Sequence, residues 1–134
     1  MVLKKVFSGL LLAASVGYAQ FIDLTPTQLE KKIEQKVVVI DIRTPQEWKE
    51  TGVIPTSHKL MFFNKYGAYN IKNWMSNFSK LVKDKNQPFV LVCRSGNRTK
   101  QVGNFLSQDL GYKNVFDLKH GIKAWIKENR EVTK

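Results

Sequence analysis

The chain has 134 residues, of which 43% are hydrophobic, 25% charged and 11% aromatic. That length and balance fit one soluble domain and exclude intrinsic disorder, a collagen-like repeat and a polytopic membrane protein. One cysteine, Cys93, excludes an intrachain disulfide and a zinc site built on several thiolates. Of the +11 formal charge, 18 of the 22 basic residues are lysines spread along the whole chain. They read as a solvated surface that attracts small anions, and nucleic acid is not expected as a partner.

The first segment is MVLKKVFSGLLLAASVGYAQ. Lys4 and Lys5 precede an apolar run from Val6 to Ala19 that is too short to span a bilayer comfortably. It suits the apolar core of a secretory signal, and Gly17-Tyr18-Ala19 offers small residues where a signal peptidase would read them. Residues 1–19 are therefore expected to be a signal peptide cut after Ala19, with residues 20–134 the mature domain. An uncleaved N-terminal anchor is the other reading of the same run. The cut implies a periplasmic or otherwise exported protein with no stable membrane span, and lowers the formal charge from +11 to near +9.

The mature chain alternates helical and strand-like stretches with no linker or repeat. Thr25-Pro26 pairs a capping residue with proline at the first helical position, and Leu29 and Ile33 follow at helical spacing. Lys36-Val37-Val38-Val39-Ile40-Asp41 is the continuous β-branched run of a strand buried on both faces. Thr44-Pro45-Gln46-Glu47 is a capping-box pattern, predicting a short helix that ends near Gly52. The stretch from Ile54 to Tyr69 carries no clear period. Beyond it, Ile71, Trp74, Met75, Phe78, Leu81 and Val82 fall on one helical face.

Pro88-Phe89-Val90-Leu91-Val92-Cys93 predicts a second buried strand. A helix from about Arg98 should turn Val102, Phe105, Leu106 and Leu110 inward and stop at Gly111. Val115-Phe116-Asp117-Leu118 gives a third strand, and Ile122, Trp125 and Ile126 a last helix. This alternation predicts one α/β domain with a mostly parallel sheet and helices on both faces. Ligands bind beyond the carboxyl ends of such strands, where Asp41 and Cys93 both stand.

The segment Cys93-Arg94-Ser95-Gly96-Asn97-Arg98 joins an apolar strand to an amphipathic helix. A thiol there faces a helix N-terminus, whose unpaired N–H groups favour negative charge, and two arginines add to it. Gly96 and Asn97 tolerate left-handed backbone, which turns successive N–H groups inward as an anion nest. Such settings lower a thiol's pKa from about 8.5 to roughly 3.5–7.5, so Cys93 is expected to be a thiolate nucleophile. A lone cysteine after an apolar strand is more often an inert core residue, and it is the following R-S-G-N-R that argues otherwise here.

Val38-Val39-Ile40-Asp41-Ile42-Arg43, Glu47-Trp48 and Gly52-Val53-Ile54-Pro55 resemble the opening signature of rhodanese domains. Cys93-Arg94-Ser95-Gly96-Asn97-Arg98-Thr99 is similar to that family's active-site loop. Gly111-Tyr112, Val115, Leu118, Gly121 and Trp125 are similar to its closing strand-helix motif, so the resemblance covers about residues 23–128. It implies a five-stranded, mostly parallel sheet flanked by helices on both faces. It also implies a thiosulfate- or persulfide-dependent sulfurtransferase in which Cys93 takes the outer sulfur of a donor and hands it to a thiophilic acceptor. Arg94, Ser95, Gly96, Asn97 and Arg98 would bind the donor, with Arg98 reading equally as a salt bridge that locks the loop. Asp41, Arg43 and Glu47 would form an ion-pair network bracing the sheet end.

Several positions depart from the family pattern. Val53 stands where a histidine is usual, Thr56 and Ser57 replace a glycine and alanine, and Lys119-His120-Gly121 keeps only the second of two glycines. His58 reads as a surface residue, while Lys119 and His120 are expected near the mouth of the Cys93 pocket or in a solvated turn. Phosphatases and arsenate reductases on related folds have a loop one residue longer. Four residues separate Cys93 from Arg98 here, which narrows the cradle and favours a terminal sulfur over a tetrahedral phosphate. The competing reading from another class is a non-catalytic sulfur-carrier or protein-binding module. No cofactor or metal is expected; the expected partners are a small anionic sulfur donor, a thiol or cyanide acceptor, and an exported redox or sulfur-relay protein.

Overall fold

The computed structural model describes residues 20–134; the expected signal peptide and its cut after Ala19 lie outside the described residues. The strands are β1 (Gln20–Leu24), β2 (Val38–Asp41), β3 (His58–Lys59), β4 (Phe89–Val92) and β5 (Asn114–Leu118). They form one sheet in the order β1-β5-β4-β2-β3, with every neighbouring pair parallel. Between them run α1 (Pro26–Glu34), α2 (Pro45–Thr51), α3 (Ile71–Leu81), α4 (Asn97–Asn104) and α5 (Gly121–Lys127). Among the described residues no helix is long and apolar enough to cross a membrane.

The helix starts follow from their caps. Thr25 and Thr44 each accept the N–H of the residue three on, Gln28 and Glu47, whose side chains reach back to the cap N–H. Proline occupies the first turn of both helices, where its missing N–H costs no helical bond. The helix predicted from Arg98 begins one residue earlier, and its last turn, Phe105–Asp109, widens to π spacing before Gly111.

Alternation along the strands divides the core between two faces. Ile40, Phe89, Leu91, Cys93 and Val115 pack against Trp74 and Phe78 of α3 and Val102 of α4. Val39, Val90, Val92 and Leu118 face Leu29 of α1 and Ile122 and Trp125 of α5. Helices therefore cover both faces, as expected. The α3 face is aromatic: the Phe78 ring centroid lies 5.0 Å from Trp74, 5.0 Å from Phe89 and 5.3 Å from Tyr112. The Trp74 indole N–H donates to the Leu60 carbonyl at 3.0 Å, which fixes the aperiodic segment against α3.

Two strands carry no clear signal in the residues themselves. β3 is two exposed residues held by register with Ile40 and Asp41. β1 is an edge strand, more exposed than β4, held along its whole length by β5. At the other end of the chain, Val53 and Thr133 exchange backbone hydrogen bonds of 2.9 and 2.8 Å, tying the C-terminal segment beside α2.

Candidate active site

Cys93 follows the last residue of β4, at the carboxyl end of the central strand of the sheet. Its side chain is 1% exposed. The Gly96 N–H donates to Sγ at 3.1 Å. Gly96 caps α4 at φ 102°, a left-handed conformation natural to glycine, and has no side chain to occupy the helix N-terminus. The first-turn N–H groups and the positive end of the helix dipole are thus directed toward the sulfur and whatever it carries.

The loop is held from behind by α5. The Ile122 N–H donates to the Cys93 carbonyl at 2.9 Å and the Lys123 N–H to the Arg94 carbonyl at 3.1 Å. Two otherwise unpaired helix donors are satisfied in this way, and the loop carbonyls are turned away from the sulfur side. The contact is so close that a Cβ on Gly121 would lie 2.2 Å from the Arg94 carbonyl oxygen. His120 precedes it at φ 62°, a left-handed position that a side chain adopts at a cost. Its backbone nitrogen packs near Gly96, placing the exposed His120 beside the loop.

The charged residues separate into two pairs. Asp41 and Arg43 are buried together: Asp41 Oδ1 accepts the Arg43 N–H and Nε–H at 3.0 Å, and Oδ2 accepts Nη2 at 2.8 Å. Arg43 also donates to Thr51 Oγ1 and the Gly52 carbonyl at 2.9 Å, bracing α2 against the end of β2. Glu47 does not join that pair, contrary to a single expected network. Its two oxygens accept Arg98 Nη1 and Nη2, each at 2.8 Å, in a bidentate bridge. The same arginine holds the Glu47 carboxyl down to about 2 against the opposing pull of burial. Arg98 is thereby committed to locking the loop, the second of its two sequence readings. Arg94, Ser95 and Asn97 are exposed around the loop.

One group of residues had no assigned role in the sequence reading. Thr99 Oγ1 lies 3.5 Å from Cys93 Sγ, 3.1 Å from the Gly96 carbonyl and 2.7 Å from Asp117 Oδ2. Asp117 is fully buried, and its Oδ1 has no hydrogen-bond partner. Lys100 Nζ bridges Asp117 Oδ2 at 3.0 Å and Asp23 Oδ1 at 2.5 Å. Burial, then the neighbouring Asp23 carboxylate, raises Asp117 to about 6, while Asp23 is lowered, first by its contact with Asp117. The available signal was a carboxylate in the apolar run Val115-Phe116-Asp117-Leu118, on the same strand face as Val115.

A cavity of about 160 Å³ lies farther along α4, lined by Phe62, Phe63, Tyr69, Gln101, Val102 and Phe105. A second, of about 440 Å³, lies along Glu47, Glu50 and Lys65. Residues 93–98 line neither. A buried sulfur that accepts the Gly96 N–H at the head of a helix lies where negative charge is stabilised.

The rhodanese-like domain family model matches residues 25–128. The uncharacterized protein RP600 of Rickettsia prowazekii is 27% identical over 106 residues, 72% of this chain and 83% of its own. The thiosulfate sulfurtransferase GlpE of Haemophilus influenzae is 25% identical over 105 residues, 78% of this chain and 88% of its own. A crystal structure of a rhodanese-related protein from Thermoplasma volcanium superposes with a TM-score of 0.62 at 26% identity, covering 83% of this chain and 96% of that one.

Proposed function

The chain belongs to the rhodanese-like domain family, and on that premise we propose that it is a sulfurtransferase working through a persulfide on Cys93. The observation that carries this reading is the Gly96 N–H aimed at Cys93 Sγ at 3.1 Å, at the head of a helix whose cap has no side chain. The relation to a thiosulfate sulfurtransferase in Haemophilus influenzae supports it.

In the first half-reaction, the Cys93 thiolate attacks the outer sulfur of thiosulfate. The S–S bond of the donor breaks and sulfite leaves with its electron pair. The enzyme keeps a Cys93 persulfide anion, which the N–H groups of the loop and α4 stabilise. A thiophilic acceptor then attacks the terminal sulfur; with cyanide the products are thiocyanate and the original thiolate. Arg94 and the nearby lysines draw the anionic donor in, while Arg98, paired with Glu47, holds the loop in shape. We further take the Lys4-Lys5 segment as an export signal, so that this chemistry would run outside the cytoplasm with a reduced protein partner as acceptor.

The test uses the purified chain and its Cys93→Ser variant. Each is incubated with thiosulfate, weighed intact, then treated with cyanide and assayed for thiocyanate. A gain of one sulfur on the wild type only, released by cyanide, is the expected result. A stable persulfide that cyanide does not discharge would identify a sulfur carrier instead. No sulfur gain from thiosulfate or from a reactive persulfide donor would overturn the proposal.

A further inference from the structure

We propose that Asp117 is a positioning residue for Cys93, acting through Thr99 by deciding whether the Thr99 hydroxyl is available to the sulfur. The Thr99 hydroxyl has one proton and three acceptors within reach: Asp117 Oδ2 at 2.7 Å, the Gly96 carbonyl at 3.1 Å and Cys93 Sγ at 3.5 Å. A charged carboxylate at the shortest distance wins that proton. Thr99 then turns a lone pair toward Sγ, which suits an S–H and opposes a thiolate. When Asp117 is neutral its pull weakens, and the hydroxyl is free to donate to the sulfur anion.

The surroundings of Asp117 suit a carboxyl that gains and loses a proton. From α4 it meets Thr99 and Lys100, and from β1 it meets Asp23, its register partner. From β4 it is paired with apolar Leu91, with Cys93 two residues farther on. Lys119 acts on Asp23 from the end of β5. Two carboxylates thus share the single ammonium of Lys100, leaving one negative charge in excess, with Asp117 the buried member and Asp23 and Lys100 partly exposed. Asp117 Oδ1, buried with no partner, is the natural place for a proton beside Asp23. The elevation of Asp117 to about 6 agrees with that placement.

The proposal rests on Cys93 being the reacting group, but its test reads the thiol itself and not sulfur transfer. Because Cys93 is the sole cysteine, its ultraviolet thiolate absorbance can be followed against pH, with Cys93→Ser as the blank. Asp117→Asn should move the midpoint of thiolate formation to lower pH by about one unit. Asp23→Asn should move it the other way: without the second carboxylate, Asp117 keeps its charge and holds Thr99 from the sulfur. Thr99→Val should abolish the effect of Asp117→Asn, and Thr99→Ser should preserve it.

A through-space charge effect predicts the same sign for both variants, since removing either carboxylate would lower the midpoint. If both variants lower it, or if the Asp117→Asn shift persists beside Thr99→Val, the proposal is wrong. Asp23 is partly exposed at the sheet edge, so its variant remains a test should Asp117→Asn fail to fold. A thiosulfate assay that fails while these shifts appear would remove the sulfurtransferase reading and leave the positioning role standing.

Discussion

Glu47 and Arg98, 51 residues apart, meet through two parallel hydrogen bonds of 2.8 Å. The bridge joins the first turn of α2 to the first turn of α4, so the loop bearing Cys93 is anchored on one side by a residue from a different part of the chain. Arg98 keeps the Glu47 carboxyl near 2 when folded, against 4.5 for the free group. A folded value below the unfolded one means stability that is present above about pH 4.5 and is lost as pH falls toward 2. Glu47→Gln should lower stability at pH 7 by about 1–2 kcal/mol, screening included. Urea melts at pH 7 and pH 3 check the sign: the gap between wild type and variant should shrink at the lower pH.

Adjacent residues on the far side of the loop should respond in opposite directions. Gly121→Ala would drive a Cβ to 2.2 Å from the Arg94 carbonyl oxygen at a φ of 67°. A loss of about 2–4 kcal/mol is expected, and on the proposed function sulfur loading of Cys93 by thiosulfate should fall even where the protein stays folded. His120→Gly relieves a side chain held at φ 62° and should raise stability by up to about 1 kcal/mol, or a few degrees in Tm. Paired thermal melts of the two variants would show whether the loop backbone is limited by space at one residue and by strain at its neighbour.

Arg94, next in the chain to Cys93, is exposed, unlike the bridged Arg98. Arg94→Ala should raise KM for thiosulfate on the order of 3–10-fold with little change in kcat, and the difference should narrow at high salt. Steady-state kinetics at two ionic strengths would decide it; an equal fall in kcat would instead give Arg94 a role in the transition state.

Phe78 tests the aromatic face of the core. It is fully buried and touches Trp74, Phe89 and Tyr112. Phe78→Ala should cost about 3–5 kcal/mol, a large part of the stability of a domain this size. Denaturant midpoints measure it directly, and a loss below about 1 kcal/mol would mean that the ring cluster repacks.

The parts of the fold that read clearly in the sequence are those whose stability is local. Thr25 and Thr44 announce their helices because cap, proline and returning side chain all lie within four residues. β2 and β4 read as strands because both of their faces are buried, leaving an unbroken apolar run. β1 and β3 did not, since β3 is two residues long and both depend on register with a neighbour for their identity. The Cys93 loop was legible from its glycine, asparagine and arginines, all adjacent in the chain. Thr99 was in view but without a role, because its partner Asp117 comes 18 residues later. Asp23 is more distant still, and only the β1–β5 register sets it beside Asp117. Arg98 remained open between two uses until the fold brought Glu47 to it.

The bonds from Ile122 to the Cys93 carbonyl and from Lys123 to the Arg94 carbonyl also fix an order of events. The thiol is made well before the residues that shape its loop, and those residues stand near the end of the chain. Until α5 docks, the Cys93 and Arg94 carbonyls lack these donors and the loop lacks its backing. For the proposed sulfur transfer, the fold would have to be complete to its last helix before the loop takes its working shape.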